Sequence, residues 1–587
     1  MNRKKSVDDK SFKLITHVNK TFDGKKDFIK IAHSAKLDIT EEITVEAWVN
    51  SKNLNAEVLQ SIVSKWSPLN SFNTFDAYDA GSTSELDTTG FLGAVFDGRY
   101  IYFSPQHDTK RRHGKALRYD THGDFYDPKS WMGYNAEKTS GLNTKGFYGA
   151  VFDGIYVYFV PRRDEKTYHT RILRYDTRSS FAANSSWQAY DAGLGISYQS
   201  AGFDGRYIYF APGTHNEKGR SGLVLRYDTQ ASFDEKSSWV TFDAGNTGGL
   251  ETKDFDGVAF DGRYIYFVPL SYSAVLRYDT TKKFKDKTSW SAFDAKPLNM
   301  KRCVGSVFDG RYIYFVTYDH NTMVRYDTNS NFEEDSSWST YDVKKTSGLT
   351  KYGYDGGFFD GRYVYFVPFI GSDNNGMYFH CEVLRYDTKE NFEDSNSWKV
   401  FDASDTSGLK TIGYNAGAFD GRYFYCAPWH DGESYLKKSK KDAASLSSSG
   451  IYGHGRVLRY DTLSNNGSFS LRYCDYGHNG GLCAAVPGPR FIVNTDKGVR
   501  SIAANKKLEQ GEHYIVGVYN GRKIQLFVDG MLVNEQDATG KIIKSKVDIT
   551  IGRILDGLGY FNGHISEIRI SDCPRSADWI KAEYNKK

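Results

Sequence analysis

Eight of the fourteen histidines of this chain, His107, His113, His169, His215, His320, His380, His430 and His454, fall in short irregular stretches between aromatic-rich segments. Imidazoles converging on one point could bind a divalent metal or move a proton near neutral pH. The pairs able to meet within one stretch are His107 with His113 and His430 with His454. Trp429, beside His430, joins them as a candidate for contact with a ligand or partner. The same stretches carry Asp108, Asp164, Asp319, Asp373 and Asp431, and an enzyme using them for acid and base would raise the pKa of at least one. Against these uses stands the ordinary state of a loop histidine, which is solvated or bonded locally. No Ser/His/Asp set, HExxH run or phosphate-binding glycine loop is evident in the sequence.

The elements that must position these side chains are repeats. A Phe-Asp-Gly step falls at Phe96, Phe152, Phe203, Phe260, Phe308, Phe359 and Phe419, roughly fifty residues apart. Each unit reads as four strands, as in GVAFD, GRYIYFVP, VLRYDT and SWSAFDA of the fourth. These runs are rich in Tyr, Phe, Val and Ile and are bounded by Gly, Pro, Asp or Ser. Four strands per unit predict a propeller blade. Asp-Gly joins the first two strands tightly. The small residues of strand one (Gly93-Ala94, Gly149-Ala150, Gly257, Gly305-Ser306, Gly356-Gly357) place it innermost, where seven strands crowd one axis. A strand-four-like segment, residues 74–80, precedes the first unit, and is expected to complete the seventh blade and close the ring without an open edge.

Motifs present in every unit are read as scaffold. The Asp of FDG is a turn residue, and that of RYDT caps the turn into strand four. The Arg of GRY and LRY pair with these carboxylates or stack on Tyr rings. Ile155 replaces that Arg in the second unit. Tyr227-Asp228 with Trp239 and Tyr278-Asp279 with Trp290 resemble kelch-type propellers, although the kelch Gly-Gly pair is replaced by Val-Pro or Ala-Pro.

Outside the repeats, TFDGKKDFIKIAHSAKLDITEEITVEAWVNSKN (21–53) resembles the opening of a laminin G-like, concanavalin A-like jelly roll. EHYIVGVYNGRKIQLFVDGMLVNEQ (512–536) and the segment after it resemble its end. The expected fold is therefore all-β, a seven-bladed propeller inserted into a β-sandwich. Expected boundaries are a tail at 1–15, jelly roll at 16–70 and 465–587, and propeller at 71–464. The resemblance implies recognition of glycans or extracellular proteins, with a calcium ion at one edge; the matching carboxylates are Asp23 and Glu567. Trp48, in the alternating ITVEAWV, is expected in the core.

A formal net charge of +4 on 587 residues gives no case for nucleic acid. The basic runs, Lys110-Arg111-Arg112 and residues 437–441, read as solvated loops. MNRKKSVDDK is polar, with no apolar core following it and no membrane span in the chain, so cytoplasmic synthesis is expected by sequence. The six irregularly spaced cysteines form no metal motif and are expected as free thiols. The jelly-roll resemblance implies instead an extracellular or particle-associated protein.

Loops joining strands two and three, and strands four and one, vary widely in length and emerge on one face of a propeller; the other face is uniform. The variable face is where a glycan or protein partner is expected. The expected function is non-enzymatic recognition, adhesion or assembly. A polysaccharide-acting enzyme with its site at the channel mouth, and a structural subunit of a surface layer, filament or phage-like particle, are the alternatives. A homo-oligomer or higher assembly is compatible with each.

Overall fold

The computed structural model describes residues 12–52, 60–66, 75–108, 110–373, 376–432, 453–462, 467–474, 488–495, 497–504, 506–545, 547–554 and 559–587. The chain divides into two units, one of Phe72–Thr462 with His478–Ala484 and one of Met1–Ser71, Leu463–Gly477 and Ala485–Lys587.

In the repeat unit, seven antiparallel sheets share a four-strand path. The first runs through Phe91–Phe96, Tyr100–Pro105, Lys115–Asp120 and Trp131–Asn135. The seventh joins Tyr414–Phe419, Tyr423–Pro428 and Arg456–Asp461 to Phe75–Asp79, from the start of the repeat region. Successive first strands pack side by side, and the last lies against the first, so the sheets close into a β-propeller.

Each repeated motif has a physical task. In the first hairpin Asp97 accepts the backbone N–H groups of Arg99 (2.8 Å) and Tyr100 (2.7 Å) and the Tyr102 hydroxyl (2.7 Å). The Gly98 φ of +105° completes the turn. Arg99 pairs with Asp120 of the RYDT motif at 2.8 Å. In the second blade Ile155 cannot do so, and Arg178 takes Asp176 instead at 2.8 Å. The LRY arginine reaches the neighbouring blade: Arg118 lies 4.6 Å from the Phe181 ring centre, and Arg459 of the seventh blade 4.0 Å from that of Phe125 in the first.

Trp131 donates its indole N–H to the Phe125 carbonyl at 3.0 Å, which fixes the ring for stacking. A fourth-strand aromatic stacks on the next blade's Trp in Tyr134–Trp187, Tyr190–Trp239, Phe242–Trp290, Phe293–Trp338 and Tyr341–Trp398. Phe401–Phe75 and Tyr78–Trp131 carry the belt across the seam.

The centre is tight. A Cβ on Gly257 would stand 2.8 Å from the Gly305 Cα, and one on Gly305 2.7 Å from the Gly356 Cα. The first hairpin slips register between Phe91 and Ala94, with Gly93 at φ +82°. This bulge, with glycine in the left-handed region, turns the preceding side chain toward the axis.

The other unit packs two six-stranded sheets face to face. One runs Phe12–Asp23, Asn562–Ser571, Ile43–Ser51, His513–Tyr519, Lys523–Val528, Met531–Asp537. The second runs Ile29–Ile31, Ile549–Ile551, Gln60–Trp66, Gly467–Cys474, Gly488–Thr495, Gly498–Ala503. Strands from before and after the repeats thus alternate in both sheets. Val45, Ala47 and Val49 face Val63, Leu471 and Phe491 in the core. The first strand begins at Phe12, so residues 12–15 belong to a sheet and not to a tail. Trp48 is on the opposite face from this core: alternation sends it outward, where it stacks on Tyr514 (4.8 Å) and Tyr584 (5.8 Å) beneath the helix Ala577–Tyr584. Among the described residues no helix is long and apolar enough to cross a membrane. Cys303, Cys381, Cys426 and Cys573 are free thiols; Cys474 and Cys483 have no described side chain.

The crowding predicts a separable effect. Gly305→Ala should destabilise the propeller by about 2–4 kcal/mol, because a backbone clash adds to the φ penalty. Gly348→Ala, at φ +83° with its nearest neighbour at 3.6 Å, should cost about 1–2 kcal/mol. Denaturant unfolding of the full chain compares them; equal losses would mean that the inner strands spread without resistance.

Candidate functional site

The histidines do not converge. His113 donates Nε2–H to the Thr89 carbonyl (2.9 Å) and accepts the Lys115 backbone N–H at Nδ1 (3.1 Å). His169, His380 and His454 repeat this arrangement with Lys145, Gly353 and Ile412. His320 likewise accepts the Thr322 N–H at 3.3 Å. Each is a lock between the strand two to three loop and the preceding blade's loop. Both ring nitrogens of the four complete locks are occupied in a neutral tautomer, and burial lowers the pKa of His113, His169 and His380 to about 4. In the fourth blade Ser273 makes a different bond, to the Met300 carbonyl in the loop after that blade's last strand, at 2.6 Å.

His113 is turned away from His107, whose Nδ1 lies 2.5 Å from the Asp108 carbonyl oxygen. His215 accepts the N–H groups of Glu217 and Lys218. His430 accepts that of Gly432 (2.9 Å), stacks on Phe379 at 4.3 Å, and feels the charge of His107 across the seam. Among the described residues no three His, Cys, Asp or Glu side chains are placed to hold a metal ion.

Asp108 and Asp164 are held ionised rather than raised. Asp108 bonds Lys115 at 2.7 Å and Asp164 bonds Arg171 at 2.5 Å; both also accept backbone N–H groups, and their pKa values fall to about 2 despite burial. Asp319 pairs with Arg302 at 2.6 Å, and Asp431 lies 3.8 Å from His430. The Asp373 side chain is outside the described residues, as are residues 437–441. In the jelly roll Asp23 accepts three backbone N–H groups within its own turn, and Glu567 bonds Arg569 at 2.9 Å. Asp23 pairs with Asn562 and His17 with Glu567, which separates the two carboxylates by about 16 Å along the strand. They cannot share one calcium ion.

The raised carboxylates sit elsewhere, at the position that the inner bulges turn toward the axis. Tyr148 of the second blade donates toward Asp256 of the fourth (3.0 Å) and Asp355 of the sixth (3.1 Å). Asn415 of the seventh bonds Asp355 and approaches the Tyr148 hydroxyl at 3.4 Å. Side chains from four blades meet only at the common axis, so the axis is filled here. One phenolic hydrogen serves one carboxylate at a time while Asn415 donates to Asp355, and burial of two facing carboxyls favours a proton kept on the pair. Burial drives the pKa of Asp355 up to about 7 and raises Asp256 well above the ordinary carboxylate range, helped by the Asp355 charge. The sequence signal was available: Leu92, Tyr148, Gln199, Asp256, Val304, Asp355 and Asn415 vary in type within an otherwise uniform strand.

A buried apolar cluster packs against this plug. Tyr148, Leu92, Phe369, Ile370, Phe379 and Trp429 form one cluster, with Tyr318 packed on it. Phe369 stands 5.3 Å from Trp429, and the Arg302 guanidinium covers Tyr318 at 4.6 Å. Arg162 covers Tyr148 at 4.9 Å. Trp429 is thus buried within this cluster, and half-buried Tyr318 with exposed Arg302 is the part that reaches the surface. Such a surface can stack on a ligand and pair with its oxygens.

The family comparison agrees with the jelly roll. Residues 450–581 match the family model of the Concanavalin A-like lectin/glucanases superfamily. No curated protein sequence matches the chain. Among solved structures, YjhT shares 11% identity over 54% of this chain and 98% of its own, with a TM-score of 0.34. The Myceliophteria thermophila Cps50 (Swd1) beta-propeller domain shares 8% over 66% and 99% (TM-score 0.38), and a chain of a nidogen/laminin complex 10% over 51% and 96% (TM-score 0.30). The protein combines a β-propeller with a concanavalin A-like, laminin G-like jelly roll.

The shared proton sets a pH dependence. A carboxyl whose pKa is raised by folding stabilises the fold when protonated and loses that contribution as pH rises. Relative to the Asp256→Asn/Asp355→Asn variant, the wild type should lose melting temperature between about pH 4 and about pH 7. The difference cancels the histidines, which titrate alike in both proteins. A flat difference would show that the pair keeps no proton.

Proposed function

We propose that this is a non-enzymatic recognition protein that binds a glycan or protein partner through the variable loop face of the propeller, with the jelly roll as a second recognition module. The observation that carries the reading is that half-buried Tyr318 and exposed Arg302, packed over a buried cluster with Phe369 and Trp429, sit on loops that differ between blades on otherwise repeated sheets. Rigid aromatics flanked by arginine are the side chains on which recognition surfaces concentrate their energy. Folds of both kinds suit such a role.

A specific feature favours assembly as a second reading. Met531, Leu532 and Val533 are exposed by 68%, 46% and 41% on Met531–Asp537, an edge strand of the jelly roll. An apolar edge strand is a surface on which another copy can pair.

The test is a glycan array and a protein-partner screen with the full chain, followed by calorimetry on the best binder. Tyr318→Ala with Arg302→Ser should weaken binding by at least about tenfold, with the fold intact by circular dichroism. Unchanged affinity in that variant would place recognition elsewhere. Sedimentation equilibrium of the wild type and Leu532→Ser addresses assembly: self-association abolished by the substitution supports it, and a concentration-independent monomer rejects it.

A further inference from the structure

The basic run 110–112, read from sequence as a solvated loop, is split by the fold. Arg111 forms a two-pronged pair with Glu137 at 2.9 Å, while Arg112 turns inward and is only 8% exposed. Its aliphatic stem lies over Gly146 of the next blade, where an added Cβ would stand 3.1 Å from Arg112 Cδ. The Gly146 carbonyl accepts the backbone N–H groups of both Arg162 (3.2 Å) and Arg163 (3.1 Å). Three arginines from two blades are thereby gathered around one glycine. Their side chains sense one another: burial and the charges of Arg163 and Arg162 lower the Arg112 pKa to about 10.

Among the described residues none of the three forms an ion pair. The Nε atoms of Arg112 and Arg163 are buried without a hydrogen-bond partner. Arg162 and Arg163 rest on the Tyr148 and Tyr168 rings at 4.9 and 5.2 Å, which orients them and leaves their donors unused. Glu165, whose charge acts on Arg112, is exposed, and Arg162 also feels the buried carboxylates Asp254, Asp256 and Asp355 without pairing to one. A buried guanidinium beside two like charges is unfavourable unless an anion completes it. Arg171, at the end of the loop that carries Arg162 and Arg163, does have a carboxylate partner in Asp164.

We propose that Arg112, Arg162 and Arg163 form a binding site for a single oxyanion, a carboxylate, sulfate or phosphate group carried by the partner of the loop face. The planar guanidinium forks match the paired oxygens of such a group and recognise it through charge-assisted hydrogen bonds. The inference rests on the recognition reading for the partner's identity, and on the three arginines alone for the anion.

The experiment is calorimetry and thermal shift of the full chain with sodium sulfate, inorganic phosphate and glucuronate, each against sodium chloride at equal ionic strength. Saturable binding of at least one is expected, and the preferred probe identifies the group. Arg112→Gln and, separately, Arg163→Gln should each weaken it by at least about tenfold, whereas Arg111→Gln should not. Arg163 is only half-buried, so its variant keeps the test decisive if Arg112→Gln fails to fold. Absence of saturable binding for all three probes, or equal binding in Arg163→Gln, overturns the proposal. A partner bound at the loop face with affinity indifferent to Arg163→Gln also overturns the site while sustaining recognition; saturable anion binding without any loop-face partner sustains the site and removes the recognition reading.

Discussion

The stack of a fourth-strand aromatic on the next blade's tryptophan is the interaction on which the propeller depends. At Tyr341–Trp398 the rings lie 4.3 Å apart and within 4° of parallel, and the same contact recurs around the ring. Offset aromatic stacking adds about 0.5–1.5 kcal/mol beyond burial of the rings, so the belt is strong as a set although no pair is. It also fixes the angle between neighbouring sheets. Once the outer strands are held at that spacing the inner strands have no freedom to separate, and Gly257, Gly305 and Gly356 are the residues that fit.

Closure places a demand on chain order. Phe75 and Tyr78 stack on Phe401 and Trp131 from a strand that precedes the first blade. The last blade is therefore completed by the earliest repeat segment, so the seam leaves no three-stranded blade with an unpaired third strand. The jelly roll imposes a matching order: Gln60–Trp66, before the repeats, pairs with Gly467–Cys474, after them. Its core cannot form from either segment alone.

Charge is handled differently at three levels of the loop face. In the loops, carboxylates meet lysine or arginine and histidines are neutral cross-links. On the axis, Asp256 and Asp355 share Tyr148 and retain a proton because two buried like charges at that separation are too costly. Between the first and second blades, Arg112, Arg162 and Arg163 gather without an ion pair among the described residues. The first two arrangements are complete within the protein. The third is the one left for a ligand to complete.

The sequence by itself determined the strand type, the Asp-Gly hairpins and the separation of repeated scaffold from variable loops, because these depend on local backbone preference and on spacing along the chain. It also carried both fold resemblances. It misread particular side chains wherever direction decided the matter. His113 and His169 look available in a loop but are locked onto the preceding blade; Trp48 alternates with core residues and so faces away from them; Asp23 and Glu567 lie at distant points of adjacent strands. Tyr148, Asp256, Asp355 and Asn415 stand far apart in sequence, and only ring closure with an inner bulge brings them together. Tertiary structure alone decided which charges are buried and which are paired, because burial and pairing arise from neighbours that the order of residues does not place side by side.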